Sequence, residues 1–200
     1  MLTLFALSLQ TATLDADGAK AARTCAQTLV IAGTGTESPM RLTSQFTHMA
    51  MHAAKAEGVG ASFFERLNTL SEEIGKEPTV SLESAKVLAP QCDRRFPLAR
   101  STAPARLPKD PFRRDVLCFG TLSLLQGAAE ELSKDGDSTA LDKIAAKLKP
   151  LSDKLTDDEL KKRGLGSDDA FLKLLSDEML ASIGAGNPLA VAVACGVTGI

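Results

Sequence analysis

Neither tryptophan nor tyrosine occurs in this chain of 200 residues, and histidine occurs only twice. Eight phenylalanines are the only large aromatics, and no cluster of Lys and Arg is interleaved with them. Twenty-three basic residues are outnumbered by 25 acidic ones, for a formal charge of -2. A surface that tracks a phosphate backbone needs the opposite balance, so nucleic-acid binding is not expected. No apolar run approaches the roughly 20 residues that a membrane-spanning helix requires. No segment shows sustained alternation rich in β-branched residues, which argues against a sheet.

Catalytic and nucleotide-binding motifs are equally scarce. There is no Cys-x-x-Cys and no Cys close to a His, so a structural zinc site is not expected. No Gly-x-Ser-x-Gly elbow is present. Gly33-Thr34-Gly35-Thr36 lacks the third glycine and the strand of a dinucleotide fingerprint, and reads as a helix stop. Gly58 to Ser62 has no Lys-Ser/Thr ending for a phosphate loop and serves as turn and cap. Asp135-Gly136-Asp137 opens like a calcium loop, but Ala140 and Ala146 stand where glycine and the bidentate Glu belong.

What remains is a chain rich in Leu and Ala, 44% apolar in all, with helical periodicity almost throughout. Its clearest stretch is Asp110–Leu132. Asp110 is placed to cap and Pro111 to occupy the first helical position, where a missing N–H costs nothing. Cys118, Leu122, Leu125, Ala129 and Leu132 then share one face. The run Cys118-Phe-Gly-Thr-Leu echoes an earlier one, Cys25-Ala-Gln-Thr-Leu, and the echo suggests two related halves.

The first half reads as four helices. Gly18 to Ala32 carries Ala21, Cys25, Leu29 and Ala32 on one stripe. A helix capped by Ser38 and started by Pro39 has Leu42, Phe46, Met49 and Ala53 inward. A third turns Phe63, Leu67, Leu70 and Ile74 to one face. A fourth begins near Ser81, places Leu82, Ala85 and Ala89 together, and runs toward Cys92. The stretch from Cys92 to Pro111 holds four of the nine prolines, a density that favours an extended, semi-rigid connection.

The second half repeats the outline. After the Asp110 helix comes one from about Thr139, with Leu141, Ala145 and Leu148 inward, stopping at Pro150. Thr156 and Glu159 form a capping box for a short helix to Gly164. Ser167 caps a further helix with Leu172, Leu175, Met179 and Ile183 inward. Asn187-Pro188 starts a last, wholly apolar one that leads to Cys195 and suits core burial better than a partner surface. The expected fold is all-α: two tandem small helical bundles, 17–96 and 111–200, joined by a Pro-rich linker at 97–110.

Four cysteines allow three pairings. The duplication favours Cys25 with Cys92 and Cys118 with Cys195, each pair closing its own half. Closing loops of that size stabilises a fold by about 4 kcal/mol in the chain-entropy account. Four free, buried cysteines are the alternative. Met1–Leu9 matches the apolar core of a secretory signal with cleavage near Ala12 or Ala16, so 1–16 is assigned as a signal peptide. The run has no preceding Lys or Arg, and Gln10 and Leu14 stand where small residues are preferred. With disulfides it points to a periplasmic or secreted protein, without a membrane span once the signal is removed.

One pair of side chains has metal-ligating spacing. His48 and His52, four apart on the second helix, can share a metal ion, copper or zinc. The spacing is that of the HExxH motif, but Met49 occupies the place of its catalytic Glu. Both imidazoles are expected on a half-exposed flank about 100° from the apolar stripe. The carboxylate pairs Glu72–Glu73, Glu130–Glu131 and Asp157–Glu159 lie in charged helical runs and read as solvated faces. Three functions stay open: a non-catalytic exported module that binds another protein and needs no cofactor, a metal-binding protein, or an enzyme built on dispersed carboxylates.

Overall fold

The computed structural model describes residues 12–58, 62–134 and 136–200. Among these residues it is all-helical, with nine α-helices and no strand. These are α1 (Gly18–Gly33), α2 (Pro39–Ala56), α3 (Phe63–Lys76), α4 (Leu82–Arg95), α5 (Pro111–Ser133), α6 (Thr139–Ser152), α7 (Asp157–Lys162), α8 (Asp168–Ser182) and α9 (Pro188–Ala194). No helix is long and apolar enough to cross a membrane.

The helix starts follow local chemistry. Asp17, Ser38, Ser81, Asp110, Thr156, Ser167 and Asn187 each accept a backbone N–H of the first turn on the side chain. Pro39, Pro111 and Pro188 occupy first helical positions. The expected stop at Pro150 is corrected: α6 runs on to Ser152. A single proline removes one hydrogen bond, and Asp153 N still reaches Lys149 O, so the last turn closes past it. Pro90 is carried inside α4 in the same way.

Helices α1 to α4 pack around α1 and α2, and α6, α8 and α9 pack around α5. Cys25–Cys92 closes the first group and Cys118–Cys195 the second, with Cα–Cα distances of 5.6 and 5.8 Å. The groups meet where α2 lies against α5 and α9. The larger apolar cluster crosses that boundary: Cys25, Leu29, Met49 and Phe63 share it with Leu117, Met179, Ile183 and Val191. A smaller cluster of Leu122, Leu125, Ile144 and Val197 also takes in Met40 from α2.

The segment between α4 and α5 is extended, as its prolines require, but lashed down. Ala99 and Ala105 are buried, and Ala105 N donates to Ala190 O. Asn187 Nδ2 donates to the carbonyls of Leu98, Ala99 and Ser101. Most of the proposed signal segment, residues 1–11, lies outside the described residues. The remainder touches α4: Leu14 N and Ala12 O bond the Gln91 amide, and Arg95 bonds the carbonyls of Asp15 and Ala16.

Three inward assignments are corrected. Leu82 and Leu172 are exposed, and so is Ala145. On α6 the contact with α5 falls instead on Ile144, which is fully buried. Leu42 and Phe46 of α2 are only half-buried.

Candidate functional site

The two histidines remain together, and only His52 keeps the half-exposed flank that the helical wheel gave both. His48 is fully buried rather than on a half-exposed flank, because α2 is covered by α1, α3, α5 and α9. Neither ring nitrogen of His48 has a hydrogen-bond partner. The His52 ring stands edge-on to it at 4.8 Å between centroids and lies 4.8 Å from Phe96. Burial lowers the His48 pKa to about 3, helped by the neighbouring imidazole, and burial with the Lys55 charge lowers that of His52 to about 4. Both rings are therefore neutral at pH 7, the form that binds a metal ion. Among the described residues no third His, Cys, Asp or Glu joins them in a ligand set.

Each carboxylate pair singled out from the sequence has at least one member held by a cation. Glu73 accepts from Arg23 and Arg66, and these bonds lower its pKa to about 2. Glu159 pairs with Arg163, whose guanidinium also lies 4.1 Å over the Phe112 ring. Glu131 pairs with Lys134 on the surface. Nothing here brings two of them onto one cavity wall, as paired acid–base chemistry would require.

A cationic face that sequence reasoning missed forms around the strap joining the two halves. Leu107 lines two clefts. One, of about 430 Å3, is bounded by Arg106, Lys109 and Arg113, with Leu117, Ala185 and Glu178 in its wall. The other, of about 390 Å3, is bounded by Arg114, Lys147 and Lys154, with Asp115, Cys118 and Cys195 in its wall. Arg113 reaches Glu178, whose side chain is 2% exposed, and Lys154 pairs with Asp115 at 3.1 Å. Arg106, Lys109, Arg114 and Lys147 make no ion pair among the described residues.

Arg106 and Lys109 flank Pro108 on the non-helical strap, while Arg113 and Arg114 come from the first turn of α5. By sequence alone Arg113 and Arg114 are a basic pair at a helix start. The available signal was the recurrence of Arg and Lys among the prolines of 97–111, where Arg106 and Lys109 stand shortly before that pair. Lys147 and Lys154 arrive only by tertiary packing.

Comparison of the chain with protein-family models, curated proteins and solved structures finds no match.

Proposed function

We propose that this chain is an exported, disulfide-stapled helical module without catalytic activity, and that it binds an acidic segment of a partner protein across the two clefts beside Leu107. One observation carries the reading. In a chain of net charge -2, six cations gather there against three carboxylates, Asp110, Asp115 and Glu178. Four of the six have no carboxylate of their own, so their charge is available to a ligand. The interspersed carboxylates and the absence of a stacking aromatic favour a peptide carboxylate over a phosphate backbone. The two disulfides fit an oxidising compartment, extracellular or periplasmic.

The test is binding of a fluorescent glutamate-rich peptide, compared with a lysine-rich peptide and a single-stranded oligonucleotide of equal length. The acidic peptide should bind, weaken with added salt, and lose about tenfold in affinity for the R106Q/K109Q variant. Equal affinity for variant and wild type, or preference for the oligonucleotide, overturns the proposal.

A second reading rests on the orphaned nitrogens of His48. Two neutral imidazoles one turn apart supply two ligands for Cu(I) or Zn(II). Uptake by the wild type that disappears in H48A/H52A supports it, and equal uptake by both proteins removes it.

A further inference from the structure

The two disulfides differ in their surroundings. Cys25 and Cys92 are both wholly inaccessible, enclosed by the large apolar cluster. Cys118 and Cys195 line a cleft open to solvent, and Cys195 is the more exposed of the two. Thiol–disulfide exchange needs a thiolate to reach one sulfur, so exposure alone separates the two pairs. Charge separates them further. Arg114 lies one helical turn before Cys118 on α5, and Lys147 and Lys154 stand across the cleft on and just beyond α6. Lys147 Nζ reaches the backbone beside Cys195: it is 3.4 Å from where a Cβ on Gly196 would lie. Cations in these places attract an anionic reductant and stabilise the thiolate that departs.

We propose that Cys118–Cys195 is a thiol–disulfide exchange site for anionic thiols, while Cys25–Cys92 is a permanent structural bridge. The thiolate attacks Cys195 Sγ, forming a mixed disulfide and breaking the Sγ–Sγ bond. Cys118 leaves as a thiolate that takes a proton from solvent or stays charged beside Arg114. A second thiolate attacks the external sulfur of the mixed disulfide, releasing the oxidised reductant and Cys195 as a thiolate. Two thiols thus supply the two electrons. Opening the bridge frees the end of α9 from α5 at the cationic face, while Asn187 still holds its beginning.

The experiment needs no binding partner and is read independently of the acidic-peptide assay. The full folded chain is exposed to reduced glutathione, quenched with N-ethylmaleimide at intervals and mapped by mass spectrometry. Cys118 and Cys195 should become labelled about tenfold or more faster than Cys25 and Cys92, with helical circular dichroism intact, since the inner pair needs cooperative opening. The glutathione adduct should fall on Cys195. Equal rates, faster labelling of Cys25 and Cys92, an adduct confined to Cys118, or labelling only after helix loss each overturns the proposal. The charge argument is tested with cysteamine, a cationic thiol. The ratio of glutathione to cysteamine rates should fall several-fold in R114Q/K147Q, and also in wild type as salt is raised. A salt-insensitive ratio in wild type removes the role of the cations.

Discussion

The Ser44 hydroxyl donates to Asn187 Oδ1 at 3.1 Å in the interior, joining residues 143 positions apart. Asn187 Oδ1 also caps α9 by accepting from Ala190 N, and its Nδ2 holds three carbonyls of the strap. Ser44 Oγ in turn accepts from Leu189 N. One amide thus ties together α2, the strap and α9. Replacing Asn187 by Ala removes a cap and strands several buried polar groups, a loss of about 3 kcal/mol. Asn187→Asp keeps the cap acceptor but cannot donate to the strap, and should fare no better. Ser44→Ala should cost about 1 kcal/mol. Urea midpoints of the three variants give the order, and a harmless Asn187→Ala would show that the strap is not held through this residue.

Two glycines of α5 make opposite predictions. A Cβ on Gly120 would lie 2.6 Å from Leu175 Cδ1 and 3.3 Å from Met179 Sδ, so α5 and α8 meet closely there. Nothing lies within 4 Å of a Cβ on Gly127, which is exposed. Gly127→Ala should stabilise by about 1 kcal/mol through helix propensity alone. Gly120→Val should destabilise by about 1–3 kcal/mol because the Leu175 and Met179 side chains must give way in a packed contact. Thermal melts of both variants check the pair, and a stabilising Gly120→Val would mean that the α5–α8 contact is looser than described.

The caps at Ser38, Asp110, Thr156 and Ser167 and the Phe63–Ile74 stripe were legible because each depends on residues a turn or two apart, whereas Ser62 begins α3 without making the expected cap bond. The cysteine pairing was legible through the echo between Cys25 and Cys118, whose companions Thr28, Leu29, Thr121 and Leu122 are all buried. Helices α2 and α5 were misread in one respect. Each is covered on several sides, so a single stripe understates its burial: Gln45 and His48 are interior on α2, and Val116 and Leu117 on α5. Period counting assumes one wet face, and a central helix has little. The cationic face was invisible for a related reason. It joins Arg106 and Lys109 on the strap to Lys147 and Lys154 some 40 residues later, and only packing of α6 on α5 brings them together.

Each disulfide closes a long loop, of 67 or 77 residues, and removing either should cost about 4 kcal/mol by the chain-entropy account. The C25A/C92A variant should lose more than C118A/C195A, because it also leaves space in the large core where both sulfurs are wholly enclosed. Denaturant unfolding of the two double variants without reductant decides this. The reverse order would place the stability of the fold in the second half rather than around α1.

Histidine 48 makes stability depend on pH in a defined window. Its pKa is about 3 in the folded chain, against 6.5 in the absence of burial, so only the unfolded chain gains a proton in between. Stability is complete above pH 6.5, falls as pH drops, and stops falling from this cause below about pH 3. At pH 5 the loss from His48 is about 2 kcal/mol, and His52, lowered to about 4, adds a comparable share that its partial exposure reduces. The carboxylates of Glu37 and Glu73 are lowered from 4.5. Burial of Glu37 is outweighed by hydrogen bonds from Arg100, Gln45 and Arg41, and Arg66 and Arg23 hold Glu73. Their contributions disappear only below that value, so the interval from pH 7 to 5 isolates the imidazoles. His48→Leu removes both orphaned nitrogens and should be at least as stable as wild type at pH 7, with the slope between pH 7 and 5 cut by half or more and the rest belonging to His52. Urea midpoints of wild type and variant at the two pH values provide the measurement. A wild-type midpoint that stays constant across this interval would mean that the ring takes up its proton without leaving the core.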